Sequence, residues 1–164
     1  MSEPKPVNEI DFWKQRIDEA DALGIAHHSV YQTGETDWAN IEETHRKIIK
    51  ENILPEHQVL DAGCGYGRLA ELFDPKQYVG VDFSPHFISR AKVLYPEHRF
   101  IQAHLETLPF ADEQFEWAVC VSIRGMVVSN ISQDFWEVQL AELKRVAKKV
   151  LILEYSNPQE YEIL

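Results

Sequence analysis

The chain has 164 residues, 45% of them hydrophobic and 26% charged, the composition of one soluble globular domain with a real core. Its net charge of −11 disfavours a nucleic-acid substrate, because attraction to phosphate backbones needs clustered Lys and Arg. No apolar run approaches the roughly 18–20 residues of a membrane helix, the start "MSEPKPVNEIDF" has no secretory signal, and two cysteines without metal spacing fit reduced thiols in a cytoplasm.

In chain order, the first six residues read as a loose tail and Asp11–Leu23 as a short helix ending at Gly24. "IAHHSVYQTGET" is irregular, with Gly and Ser/Thr marking turns. A second helix begins near Asp37, carrying Trp38, Ile41, His45, Ile48, Ile49 and Asn52 at helical spacing, with Pro55 after its end. Residues 1–54 thus form a helical lid or extension ahead of a core at 55–164.

The pattern changes at Pro55. "QVLDAG" is a strand, followed by a glycine turn and a short helix at Arg68–Phe73 that Asp74-Pro75 stops. "YVGVDF" is the second strand. Ser84 as N-cap with Pro85 behind it starts a helix that runs to Tyr95. "RFIQA" and "FEWAVCVSI" are the third and fourth strands. A helix over Ser132–Lys148 presents Trp136, Leu140, Leu143 and Ala147 on one face. Lys144, Arg145, Lys148 and Lys149 near its end complement the negative helix terminus. "VLILEY" is a fifth strand, apolar throughout as a strand buried on both faces should be. Alternation of strand and helix predicts an α/β, Rossmann-like three-layer sandwich with a mainly parallel five-stranded sheet. Ligands then bind at the carboxyl ends of the strands, which singles out residues 61–68, 82–86, 102–106 and 122–126.

The glycine turn reads Asp61-Ala62-Gly63-Cys64-Gly65-Tyr66-Gly67. Glycine tolerates positive φ and lets a ligand approach the backbone, and a helix start behind it offers N–H groups to an anion. Dinucleotide sites space their glycines G-x-G-x-x-G. Here Arg68 falls where the third glycine of that motif would be, and the carboxylate of Asp61 would repel a pyrophosphate yet could hold an ammonium group. Asp82 ends the next strand, where a carboxylate can accept both hydroxyls of a ribose or simply form the turn.

With these residues in order, the chain resembles the class I S-adenosylmethionine-dependent methyltransferases. "VLDAGCGYGRLAELF" looks like their first motif, "YVGVDFSPHFISRAK" the second, "FIQAHLETLPFADEQFEWAVC" the third and fourth, and "AELKRVAKKVLILEY" the fifth-strand region. The resemblance covers about residues 57–155. It implies that Asp61 and the turn Gly63, Cys64, Gly65 and Gly67 border the methionine part of the cofactor. It further implies that Asp82 binds the ribose, that Phe83 packs on the adenine and that Leu105 offers it a backbone N–H. Ser122 would lie beneath the sulfonium, with Ile123 and Arg124 toward the acceptor. Cys64 fits the turn as a small side chain rather than as a nucleophile.

The sequence departs from the family at three places. His104 stands where an acid often accepts the adenine amino group; a neutral imidazole can accept the same bond, or the ring is solvated. Glu116 replaces the Asp of the fourth motif. Only ten residues follow "VLILE", too few for the helix and hairpin that usually complete this sheet, so the fifth strand would keep an open edge for a partner strand or a second protomer.

Methyl transfer is an in-line displacement in which the protein aligns and binds. A weakly acidic nucleophile also needs a base. Tyr31 and Trp38 could line a lid and face the sulfonium, or pack as core; His27 and His28 could act as bases, or lie unused on a loop. Arg124 could pair with a substrate anion or form a surface ion pair. The sequence thus points to methyl transfer onto a small-molecule acceptor, with no metal, or else to a cofactor-binding subunit that needs a partner for catalysis.

Overall fold

The computed structural model describes residues 38–164, with the side chains of Trp38 and Asn130 excepted. The expected helix at Asp11–Leu23 and the candidates His27, His28 and Tyr31 lie outside the described residues, as does the Trp38 side chain. Ala39–Leu164 forms one compact unit.

The elements are α1 (Trp38–Asn52), β1 (Val59–Ala62), β2 (Tyr78–Asp82), α2 (Pro85–Leu94), β3 (Arg99–Gln102), β4 (Phe115–Val121), α3 (Ile123–Asn130), α4 (Gln133–Val146), β5 (Ala147–Leu153) and β6 (Tyr161–Ile163). The sheet order is β3-β2-β1-β4-β5-β6. β1 to β5 run parallel and β6 antiparallel. The order reverses between β1 and β4, and a parallel sheet leaves a crevice at such a switch point, outside the carboxyl ends of the strands.

Strand alternation divides the core into layers. Leu60, Ala62, Val79, Val81, Ala118, Cys120, Val150 and Ile152 face α3 and α4, where Val127, Trp136 and Leu143 complete the cluster. Val59, Trp117, Val119, Val121, Leu151 and Leu153 face Ile48, Ile49 and Ile53 of α1. The helix that the sequence groups with the N-terminal extension therefore packs into this core. Burying a side chain the size of Trp136, 2% exposed, contributes about 2–3 kcal/mol.

Four local expectations are corrected. Behind the glycine turn there is no α-helix at Arg68–Phe73 but a chain of turns ending in a 3-10 segment, Ala70–Leu72. Six residues before Asp74-Pro75 are too few to repay helix nucleation. The fourth strand stops at Val121, and the apolar stretch after Ser122 forms α3. α4 ends at Val146, so Lys148 and Lys149 belong to β5 while Lys144 and Arg145 keep the last helical turn. Finally the sheet has six strands, not five: β6 pairs with β5 in the register Leu151↔Ile163, Ile152↔Glu162, Leu153↔Tyr161, and covers the carboxyl half of the edge expected to stay open. A three-residue strand reached by the loop 154–160 suffices, because it borrows the hydrogen-bonding groups of an existing strand.

Candidate active site

The glycine turn leaves β1 in an unusual conformation. Gly63, Gly65 and Gly67 have φ of +73°, +53° and +78°, the left-handed region that side chains rarely adopt. A Cβ on Gly63 would overlap Ile123 at the start of α3, and one on Gly67 would stand 2.7 Å from the Phe100 ring. The N–H groups of Gly63 and Cys64 both donate to the Val81 carbonyl at 2.9 Å, sealing the turn onto β2.

Asp82, the last residue of β2, is buried and bridges the two loops. Its Oδ2 accepts from the Gly65 N–H at 3.0 Å and its Oδ1 from the Ser84 N–H at 2.9 Å. Ser84 in turn caps α2 by accepting from Phe87 N–H at 3.4 Å. Phe83 is half-buried and its ring faces that of exposed His104, with centroids 6.1 Å apart and planes 30° from parallel. Leu105, on the same loop, is buried, and among the described residues no group accepts from its backbone N–H. The structure thus brings Asp82, Phe83, His104 and Leu105 to one end of the sheet, beside the glycine turn.

Asp61 lies on the α1–α2 side of β1 and is buried. The Tyr78 hydroxyl donates to its Oδ2 at 2.7 Å. Burial pushes the carboxyl up to about 6, against the opposing pull of the Tyr78 bond and of the nearby Arg68 guanidinium. Cys64 sits among Ala70, Tyr78, Ile88, Ala91 and Phe100, and burial with the charges of Asp61 and Asp82 holds its thiol protonated. This agrees with a packing role in the turn.

Ser122 is left-handed at φ 56° although it carries a side chain. Its N–H donates to Leu153 O at 2.7 Å and its Oγ accepts from Tyr155 N–H at 2.8 Å, so the ends of β4 and β5 are stitched at that residue. Arg124, offered above as a partner for a substrate anion, is held by protein carboxylates: Nη1 meets Glu162 at 2.6 Å and Nε meets Glu154 at 3.3 Å. Glu116 accepts from Gln58 N–H at 2.7 Å, at the opposite end of β1 from the glycine turn.

Sequence reasoning missed a second group at the same end of the sheet. His45 of α1 is 0% exposed, its Nε2–H donates to Glu154 O at 3.2 Å, and its ring stacks on Tyr155 with centroids 5.6 Å apart. A carbonyl only accepts, so Nε2 carries the proton and Nδ1, which has no partner, is a bare acceptor. Burial first, and then Arg68, lower the imidazole to about 4. The Arg68 guanidinium lies over the Tyr155 ring, 5.3 Å from its centroid. The next residue, Arg46, donates to Arg68 O at 2.8 Å. Two consecutive residues of α1 therefore tie down the segments after β1 and β5. The helical spacing of His45 was legible; that its neighbour on the polar side also reaches the site was not.

The chain is similar to known proteins in sequence and in fold. Residues 59–150 match the family described as a methyltransferase domain. The chain is 32% identical over 120 residues to the demethylmenaquinone methyltransferase of Renibacterium salmoninarum, covering 69% of this chain and 48% of that protein. The TehB-like SAM-dependent methyltransferase of Corynebacterium glutamicum superposes with TM-score 0.58 at 23% identity, over 87% of this chain and 71% of that one. The cyclase SpnF superposes with TM-score 0.65 at 17% identity, over 88% and 57%. At such identities the two structures speak for the fold alone. The chain spans about half the length of the curated relatives it matches.

Proposed function

Since the chain belongs to the methyltransferase-domain family, whose cofactor is S-adenosylmethionine, we propose that it transfers the cofactor's methyl group to a small-molecule acceptor. The observation that carries this reading is the junction of Asp82 with Gly65, which sets a buried carboxylate at the end of β2 against the left-handed glycine turn. These residues fit an amino-acid-bearing adenosine. Asp82 would hold the ribose hydroxyls, Phe83 and Leu105 the adenine, and the turn from Gly63 to Gly67 the methionine part, where Asp61 supplies a carboxylate for its ammonium. The bound cofactor supplies the electrophilic methyl group; the protein supplies alignment.

We place the acceptor beside Ser122, and the name of the Renibacterium relative supports a quinone-type ring as the first to try. We place the reaction in the cytoplasm, in keeping with two buried free cysteines. No helix of the described residues is long and apolar enough to cross a membrane. Calorimetry tests the cofactor: S-adenosylhomocysteine should bind, NAD should not, and Asp82→Ala should lose affinity on the order of 100-fold for the charge-assisted bonds removed. No binding, or an unaffected Asp82→Ala, would sink the assignment. Incubation with S-adenosylmethionine and reduced quinones should then release S-adenosylhomocysteine.

Because one fold hosts many chemistries, the second reading is a subunit that binds the cofactor without transferring methyl groups by itself. Cofactor binding without release of S-adenosylhomocysteine from any acceptor, alone or with cell extract, would select it.

A further inference from the structure

Gln139, Glu142 and Arg145 recur at three-residue intervals along α4, and all three reach the loop between β3 and β4. Gln139 Nε2 donates to Glu106 at 3.2 Å, and Glu142 Oε1 accepts from Leu108 N–H at 2.8 Å. Arg145 donates to Leu108 O at 3.1 Å, Phe110 O at 2.9 Å and Asp112 at 2.8 Å. Its own carbonyl accepts from Glu113 N–H at 2.8 Å, next to a left-handed φ of 50° at Glu113. Spacing of this kind sets side chains on one face of a helix. The lower part of the loop is thus pinned by Glu142 and Arg145, and the part that carries His104 and Leu105 is reached by Gln139 through Glu106.

Gln139 is the unusual member. It is 6% exposed and its Oε1 has no partner. Its orientation is fixed, because turning the amide over would set Oε1 against the Glu106 carboxylate. A leucine here would fill the same space beside Trp136 and Leu143 without an orphaned oxygen. Packing alone therefore does not account for the amide, and what it does hold is the residue next to Leu105.

We propose that Gln139 is a positioning residue for the cofactor's adenine: by holding Glu106 it sets the Leu105 N–H and the His104 ring where the base is read. The proposal rests on the reading that residues 104 and 105 seat the adenine. The variants are Gln139→Leu and Glu106→Leu, with Glu106→Gln as the conservative control. Calorimetry measures binding of S-adenosylhomocysteine and of its 6-oxo, inosine-type analogue, and thermal melting is followed without ligand. Gln139→Leu should melt at or above the parent temperature yet bind S-adenosylhomocysteine about tenfold more weakly, the equivalent of one well-placed hydrogen bond. Its preference over the 6-oxo analogue should shrink, Glu106→Leu should reproduce both effects, and Glu106→Gln should restore most of the affinity. The proposal is overturned if both leucine variants bind within about twofold of the parent. It is also overturned if affinity falls only as far as melting temperature does, or if both ligands lose affinity equally. Failure of the parent to bind S-adenosylhomocysteine would instead remove the adenine seat itself, and with it the cofactor reading.

Discussion

The Tyr78 hydroxyl donates to Asp61 Oδ2 at 2.7 Å, from the adjacent parallel strand and inside the protein. Val59 pairs with Tyr78 and Asp61 with Gly80, so the tyrosine stands two residues back on the same face and reaches forward past a position without a side chain. The bond holds a carboxylate that burial has pushed up to about 6. Asp61 is therefore poised: charged above that pH, and neutral below it.

That poise has a cost with a definite sign. Between the ordinary value of 3.8 and about 6 the folded chain binds the Asp61 proton more readily than the unfolded one. Stability from this group is thus present at low pH and lost as pH rises through the window, by about 3 kcal/mol at roughly 1.4 kcal/mol per unit. Asp61→Asn should be more stable than the parent at pH 8, by ~1–3 kcal/mol in urea unfolding, and indistinguishable near pH 4. It should also bind S-adenosylmethionine more weakly, since the ammonium loses its counter-charge. Equal stability gain at both pH values would refute the assignment.

His45 works in the opposite direction. Its imidazole falls from 6.5 to about 4 in the folded chain, so the unfolded chain binds the proton more readily between those values. Its contribution is intact above pH 6.5 and lost as pH falls toward 4, by about 3.5 kcal/mol at the same roughly 1.4 kcal/mol per unit. The Asp61 and His45 slopes oppose each other between pH 4 and 6. Relative to the parent, His45→Gln should flatten the acid loss of stability, and Asp61→Asn should steepen it. Paired urea titrations across that range read the two slopes separately.

Gly63→Ala should destabilise by ~2–4 kcal/mol, from left-handed strain plus overlap with Ile123. Adding Ile123→Val removes the nearest atom, Cδ1, and leaves Cγ1 at 2.8 Å and the left-handed strain, so the double variant should recover part of the loss and no more. Full recovery would mean that the turn can flatten.

Ser122 separates strain from bonding. Ser122→Ala keeps the left-handed φ of 56° and removes the acceptor of the Tyr155 N–H, and should cost ~1–3 kcal/mol. Ser122→Gly removes the same acceptor while relieving the backbone, so it should be the milder change by ~1 kcal/mol. Chemical denaturation orders them, and a milder Ser122→Ala would contradict the strain.

Strands β1 to β5, the capped start of α2 and the loops after the strands were readable before any coordinates, because hydrophobic period and cap chemistry are local. α3 was not. Its apolar residues continue the pattern of β4, and the break is a single left-handed serine with no glycine or proline to announce it. β6 escaped for a related reason: three exposed residues have no periodicity, and only the waiting edge of β5 makes them a strand.

The same division holds at the candidate site. The spacing of three glycines and Asp82 at a strand end suit close backbone approach and ribose recognition, and the resemblance of the successive motifs to the methyltransferases is what implied the cofactor. Where Asp61 turns, what holds Arg124, and how His45 and Arg46 come to grip two different loops depend on which strands lie side by side and in what register. Those are distances through space between residues from 17 to 109 positions apart, and packing alone sets them.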